Sequence, residues 1–451
     1  MTAVVVGAGE RGLNAFGAWF EQHPGEGFVV GVAEPDATRR DRFARRHELP
    51  PDACHVSWDE LFDRPRFADV AVVATGDRHH VEPTLLALER GYHVLLEKPM
   101  ALDEEDARRI VDAAESADRI VQVCHLYRYS AVFAALQRAV ASGALGKVVT
   151  IQLAENVAFW HYAHSYVRGH TRNSEVPMLL QKSCHDLDLL HWLAGAPASR
   201  VTSLTRPTEL TAANAPADAP EHCIEGCPHS HTCPYDAVET YVELTPLLHD
   251  LERHRSPPGL GIAAHALERF RARLLDVPID AVRSALEWDR WPVSPVSDDV
   301  SRAGLEEALR TTRWGRCVYR IDDNDQPSSQ TVDVRFTNDV LASFTMHSTS
   351  YRSGREFRVD GTSGTAVGHL SGLEGTLTLH GHKSGRRRRV RIPPTFDGHG
   401  GGESPLIADF LGAVRGEHPA RSTAAEALES HRIAFAALRS ADEGVAVDLD
   451  G

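Results

Sequence analysis

Ala3-Val-Val-Val-Gly-Ala-Gly-Glu-Arg-Gly12 is an apolar run that passes directly into G-x-G-x-x-G. A helical pattern follows, with Leu13, Phe16, Trp19 and Phe20 as its apolar positions. Strand, glycine turn and helix in that order begin a dinucleotide-binding βαβ unit. Gly7 permits the tight turn, Gly9 lets a pyrophosphate approach the backbone, and Gly12 lets helix and strand pack closely. The helix N-terminus then faces the phosphates, and Glu10 and Arg11 share that turn with the cofactor. The next apolar strand, Phe28 to Ala33, ends at Glu34. An acid about 20 residues beyond the glycines is expected to accept hydrogen bonds from an adenosine ribose and to repel a 2′-phosphate. NAD is therefore favoured over NADP. Arg39 and Arg40 lie close behind and read as the solvated face of the next helix.

Working outward, Asp69 to Ala74 is a third strand, ending in Thr75-Gly-Asp-Arg-His-His80. A helix over Val81 to Arg90 leads to Val94-Leu-Leu-Glu-Lys-Pro-Met100, a short buried strand that closes on a charged pair. Pro99 lacks a backbone donor and has a fixed φ, so the strand stops there. A helix (Glu104 to Ser116) and a strand (Ile120 to Cys124) follow, opening into His125-Leu-Tyr-Arg-Tyr129. This alternation predicts a parallel, doubly wound sheet. Glu97 and Lys98 fall at its C-terminal mouth, where α/β folds bind ligands. On a loop elsewhere the same pair would read as a solvated ion pair.

A chain of 451 residues is too long for one core of ordinary size, so two domains or one with large insertions are expected. The composition, 42% hydrophobic and 25% charged, is that of a globular protein. A net charge of -15 argues against nucleic-acid and anionic-membrane partners. No apolar run approaches a membrane span, and no basic leader precedes the first strand, so a cytoplasmic protein is expected. Seven cysteines in this context read as reduced thiols or metal ligands.

Three features in order and spacing, the Gly7/Gly9/Gly12 turn, Ala74-Thr75 with His80, and Glu97-Lys98-Pro99, resemble the glucose–fructose oxidoreductase / inositol dehydrogenase / MocA family. The resemblance implies a Rossmann domain, 1–125, and a second α/β domain, 126–451, built on a large open, mostly antiparallel sheet. It places an insertion at about 208–315. It also implies hydride transfer between a nicotinamide and a sugar or polyol carbon. Lys98 would then lie near the reacting hydroxyl and nicotinamide ribose, Glu97 would help bind the cofactor, and Thr75 and His80 would line the cofactor cleft. Where that family usually has Pro-Asn after the threonine, this chain has Gly76-Asp77.

In the second half, Lys147 to Asn156 alternates as a strand. Phe159 to Asn173 mixes histidines, arginines and aromatics without periodicity, which suits a ligand-binding loop or a polar surface loop. Met178-Leu-Leu-Gln-Lys-Ser-Cys-His-Asp-Leu-Asp-Leu-Leu-His-Trp192 reads as a helix, with Ser183 and Asp186 as a capping-box-like start. By resemblance His185 is the active-site histidine, and a helix N-terminus there would favour its neutral form. Many relatives carry Asp four residues before that histidine, where this chain has Gln181. Lys182, in a Lys-Ser-Cys-His-Asp signature, stands ready to take part of that role, because a lysine in a dry pocket titrates near neutrality. The expected catalytic set is Lys98, His185 and Lys182. The expected substrate set is Arg128, Tyr129, His161, Arg168 and Asp188.

His222-Cys-Ile-Glu-Gly-Cys-Pro-His-Ser-His-Thr-Cys-Pro234 spaces Cys223, Cys227 and Cys233 among three histidines. Three cysteines and one histidine would suffice for structural zinc; buried free thiols are the other reading. Leu247 to Leu275 reads as helical with a break at Ser256 to Gly261, and Trp291 to Asp299 as a loop before a helix. Gln330 to Phe336 and Val340 to His347 form a hairpin about Thr337-Asn-Asp339. Arg355 to Gly364 is strand then turn, and Arg386 to Arg391 a charged edge strand. Asp397 to Glu403 reads as a flexible segment with His399 near the site, and Ala424 to Arg439 as a helix touching the cofactor domain.

Three functions fit these residues. The first is a NAD-dependent oxidoreductase acting on a secondary hydroxyl or ketone of a sugar, cyclitol or sugar derivative, working as a homo-oligomer, dimer or tetramer. The second is a NAD-dependent glycosidase or lyase that oxidises the sugar transiently, with no net redox. The third is a non-catalytic NAD sensor, against which Lys98 and His185 argue.

Overall fold

The computed structural model describes residues 1–169, 172–246, 291–372, 374–393 and 398–449. Six strands form the first sheet: β1 (Thr2–Val6), β2 (Phe28–Ala33), β3 (Cys54–His55), β4 (Val70–Val73), β5 (His93–Leu96) and β6 (Val121–Val123). Their order is β3-β2-β1-β4-β5-β6, and every neighbouring pair is parallel. The strands are continuous apolar runs rather than alternating ones because helices cover both faces; Val4 to Val6 and Val70 to Val73 are buried throughout. The chain leaves β1 to one side and returns to the other at β4, so a crevice opens beyond the C-terminal ends of these strands.

The second sheet has nine strands: β7 (Val148–Ala158), β8 (Ala198–Arg206), β9 (Ser329–Phe336), β10 (Leu341–Ser350), β11 (Gly354–Gly361), β12 (Gly364–Ser371), β13 (Glu374–Gly381), β14 (Arg387–Val390) and β15 (Val447–Asp448). The order is β14-β13-β12-β11-β7-β10-β9-β8-β15. Only β7 and β10 pair in parallel; the other neighbours are antiparallel. In β9, Val332, Val334 and Phe336 turn inward while Thr331, Asp333 and Arg335 face out, the alternation of a sheet with one covered face. Helices Met178–Ala194 and Ala424–Glu443 pack on that covered face. The hairpin turns at Thr337-Asn-Asp339 with Leu341 opposite Arg335, and the arginine-rich β14 lies exposed at the sheet edge. Ala424 and Ala427 also enter the core of the first sheet, so the last helix joins the two halves. Among the described residues no helix is long and apolar enough to cross a membrane.

Three local expectations are corrected. The 159–168 stretch forms short helices, Phe159–Tyr162 and Ala163–Arg168, with Trp160, Tyr162, Tyr166 and Val167 buried. Its aromatics have no period because the inserted segment roofs them. His164 stacks on Trp314 at 4.9 Å, and its Nδ1 lies 2.9 Å from the Tyr241 hydroxyl. Second, the helix carrying His185 begins at Met178 behind Pro177. Ser183, Asp186 and His185 are therefore interior, and the helix N-terminus acts on none of them. Third, among the described residues no three His, Cys, Asp or Glu side chains converge as a metal-ligand set. The structural zinc on Cys223, Cys227 and Cys233 therefore finds no support. The Cys223 sulfur accepts from Arg168 at 3.6 Å, His229 pairs with Asp218 at 2.6 Å, and burial pushes the Cys233 thiol up to about 11. Residues 247–275, Asp397 and the side chain of His399 lie outside the described residues, while the rest of the 397–403 segment is helical rather than flexible, in Gly398–Gly401 and at the start of Glu403–Val414.

Candidate active site

The glycine turn forms a cradle. Gly7 stands at φ +93°, where a Cβ would lie 2.6 Å from the Ala74 carbonyl oxygen. A Cβ on Gly12 would fall on the Gly7 carbonyl, whereas a Cβ on Gly9 would meet nothing within 4 Å. Gly9 thus borders open space at the point where a pyrophosphate would approach. Glu34, buried at the end of β2, accepts from Ala8 N at 2.7 Å and Asp36 N at 3.1 Å. Its carboxylate is pinned at the lip of the turn. Arg40 donates to the Glu34 and Pro35 carbonyl oxygens at 2.7 and 3.3 Å, so it is engaged with backbone. Glu10 is exposed and accepts from Asn14 at 2.9 Å.

Beside the cradle lies a charged floor. Arg11 donates to Glu97 at 2.7 Å and to Glu403 at 2.5 Å. Burial alone would raise the Glu97 carboxyl, but the Arg11 and Lys98 charges outweigh it and hold Glu97 below the usual range. His80, buried, has Nδ1 2.6 Å from the Pro99 carbonyl oxygen and Nε2 3.2 Å from that of Thr75. It therefore ties the turn after β4 to the turn after β5. The Thr75 hydroxyl donates to the His79 carbonyl at 2.7 Å.

Lys98 crosses from the first sheet to the second half of the chain. Its Nζ donates at 2.6 Å to the Gln181 carbonyl oxygen, one helical turn before His185. Gln181 is fixed in turn by the Tyr166 hydroxyl, which donates to its Oε1 at 2.6 Å. The His185 ring meets the edges of Tyr127 at 5.2 Å and His125 at 5.6 Å. Burial drives His125 and His431 down to about 4, so both rings are neutral near pH 7.

Behind this group lies a buried charge network absent from the expected set. Arg355 donates to Asp186 at 2.7 and 3.0 Å, to Glu155 at 2.6 Å and to the Tyr127 hydroxyl at 2.6 Å. Ser183 donates to Glu155 at 2.9 Å, and Lys182 Nζ lies 3.9 Å from Glu155 Oε1. Burial lowers the Lys182 amine, and Glu155 offsets part of that. Burial lifts Asp186 to about 8 against the pull of Arg355, with Glu155 adding to the rise. A signal for these residues exists in the sequence. Glu155 shares its strand face with Ile151, Leu153 and Val157, and Arg355 shares its own with Phe357 and Val359. A charge at core parity has to be paired.

The expected substrate residues have other partners. Arg128 forks onto Asp188 at 2.7 Å through Nε and Nη2, reaches Glu426 at 2.5 Å, and lies over the Trp192 ring. Tyr129 donates to Asp409 at 2.8 Å. Arg168 donates to the Tyr235 and Arg316 carbonyl oxygens at 2.6 and 3.1 Å, and His161 packs on Trp291 at 4.8 Å. Both contact the insertion.

Residues 1–125 match the family described as "Oxidoreductase family, NAD-binding Rossmann fold", and residues 137–244 and 299–449 match its "C-terminal alpha/beta domain". The chain is 31% identical over 191 residues to inositol 2-dehydrogenase 4 of Saccharopolyspora erythraea, a match spanning 42% of this chain and 52% of that enzyme. It is 28% identical over 405 residues to YteT, named as an oxidoreductase, of Bacillus subtilis strain 168; this covers 85% of this chain and 82% of the relative. Among solved structures, an oxidoreductase from Agrobacterium radiobacter in complex with NAD+, L-tartaric acid and magnesium superposes with a TM-score of 0.65 at 13% identity, covering 99% of this chain and 98% of that one. That likeness is one of fold.

Proposed function

The chain belongs to the oxidoreductase family of glucose–fructose oxidoreductase, inositol dehydrogenase and MocA. Within it we propose a NAD-dependent dehydrogenase that oxidises a secondary hydroxyl of a sugar, cyclitol or sugar derivative, or reduces the matching ketone. One observation carries the reading: the Lys98 amine reaches from the mouth of the parallel sheet to the helix that bears Lys182 and His185. In this reading Lys98 is the donor to the reacting oxygen, and Lys182 and His185, on the helix it reaches, handle the proton. The match to inositol 2-dehydrogenase 4, over about half of that enzyme, supports a cyclitol- or sugar-like substrate.

The residues present fit NAD. The open space at Gly9 admits a pyrophosphate, and the pinned Glu34 carboxylate suits a ribose diol and opposes a 2′-phosphate. When bound, the nicotinamide supplies the hydride acceptor or donor. Lys98 donates to the reacting oxygen and stabilises the charge that develops on it. His185, with Lys182, takes the hydroxyl proton during oxidation and returns it during reduction. Tyr166 and Gln181 hold the Lys98 amine between the two halves.

The test is an absorbance and mass-spectrometric assay against free sugars, cyclitols and aryl glycosides, with and without added NAD. Stoichiometric NADH that is lost in Lys98→Ala establishes the dehydrogenase. Aglycone release with no net NADH would overturn it in favour of redox-neutral glycoside cleavage.

A further inference from the structure

Of the chain's 48 lysines and arginines only four are lysines, at 98, 147, 182 and 383. Lys147 and Lys383 are exposed; Lys98 and Lys182 are partly buried. Arginine serves nearly everywhere that a fixed charge suffices, and a guanidinium does not release its proton. At 182 the chain carries an amine instead, next to the Glu155–Asp186–Arg355 network. With every group ionised, Lys182 and Arg355 balance Glu155 and Asp186. The cluster stays neutral if one proton moves from the amine to the carboxyl pair, and Lys98 nearby disfavours a second ammonium in the cleft.

We propose that Glu155 and Asp186 form a buried carboxyl pair that positions the Lys182 amine and holds the proton it gives up, so that Lys182 rests neutral and accepts a substrate proton. The proposal rests on the dehydrogenase reading. In the oxidative direction the substrate O–H bond breaks as a Lys182 N–H bond forms, while the hydride leaves the same carbon for the nicotinamide. The added proton then escapes through the part of the Lys182 side chain that stays open, 24% of its surface. Glu155 and Asp186 are positioning residues; Lys182 is the group that meets substrate. The geometry supports this division. Lys182 Nζ is 3.9 Å from Glu155, within ion-pair range, while Arg355 and Ser183 fix that carboxylate from two other sides. The charged and titratable groups around the amine are Glu155 from β7, Asp186 from its own helix, Arg355 from β11 and Lys98 after β5; Tyr166 and Tyr127 border the same network.

The test reads the amine directly. The cofactor-free protein, labelled with [13C]lysine, gives four ε-carbon signals to follow against pH, and Lys182→Arg assigns the one of interest. Lys182 is expected to titrate below Lys147 and Lys383. Glu155→Gln should move Lys182 alone to still lower pH, since the remaining negative charge passes to Asp186, farther from the amine. Asp186→Asn should shift it less. If Glu155→Gln does not fold, Glu155→Asp, which draws the carboxylate back, should shift Lys182 the same way. A Lys182 signal that still reports an ammonium at pH 7, or stays put in a folded variant, overturns the proposal. These titrations need neither cofactor nor substrate, so their failure is separable from failure of the dehydrogenase reading. With an active substrate, the acid limb of kcat/KM should move with the Lys182 signal, and Lys182→Met should lower kcat on the order of 10²-fold. An acid limb that ignores a shifted Lys182 would assign the proton to His185 instead.

Discussion

Lys98 and Glu34 divide the proposed chemistry between reaction and cofactor. The Lys98 amine is held at 2.6 Å by a backbone carbonyl of the second half, so removing it leaves the fold in place and takes away the donor to the reacting oxygen. Lys98→Met is expected to cut kcat by about 10² to 10⁴, with circular dichroism unchanged; full activity would remove Lys98 from the mechanism. Glu34 accepts two backbone N–H groups at the lip of the glycine turn. Glu34→Ala removes both and the site for a ribose diol, and should weaken NAD binding roughly 10- to 100-fold by calorimetry. NADP should lose less, because the repulsion of its 2′-phosphate goes too. Equal losses for both nucleotides would mean that Glu34 does not read the ribose.

At the scale of elements, the helix Met178–Ala194 and strands β7 and β11 meet through one guanidinium. Among the described residues Arg355 is the sole cation hydrogen-bonded to both Glu155 and Asp186. Replacing it leaves two buried carboxyls facing each other. Arg355→Met should cost about 3–5 kcal/mol in chemical denaturation, far more than loss of an exposed pair such as Arg358–Asp360. A cost below about 1 kcal/mol would show that the pair simply takes up protons. The helix start also matters at this scale. Because it begins at Met178, Lys182 and His185 lie inside regular helix, one turn apart on the face turned to Lys98 and Tyr127.

Across the whole molecule, the two halves are joined by buried histidines. His431 on the last helix accepts from Met100 N at 2.9 Å and donates through Nδ1 to the Ala427 carbonyl at 2.8 Å. His125 packs 6.0 Å from it. Both are depressed from 6.5 to about 4, by burial first. The folded values lie below the unfolded ones, so the unfolded chain binds more protons between pH 6.5 and 4. The stability these rings contribute is present above 6.5 and is lost as pH falls toward 4, on the order of a few kcal/mol in all. Thermal melts should fall steeply across that window, and His125→Phe should flatten the fall; identical curves would place the acid transition elsewhere.

Fold and site were legible in the sequence to different depths. The parallel sheet, Gly7, Gly9, Gly12, Glu34 and the Glu97-Lys98 turn were readable because a dinucleotide cradle is made by contiguous backbone, where strand, glycine spacing and helix are neighbours in the chain. The β9–β10 hairpin and the β14 edge were readable for the same reason, since period-two alternation and turn residues are local. Tertiary structure alone decided what the charges near His185 do. Asp186 looked like a cap, but it answers Arg355, 169 residues away. The 159–168 stretch looked like a polar loop, and the inserted segment buries it. The cysteine spacing suggested zinc, but no metal-ligand set forms there among the described residues, and the Cys223 sulfur accepts from Arg168. Local periodicity is written along the chain by the geometry of strand and helix, whereas the pairing of a buried charge depends on which distant element supplies its counter-ion.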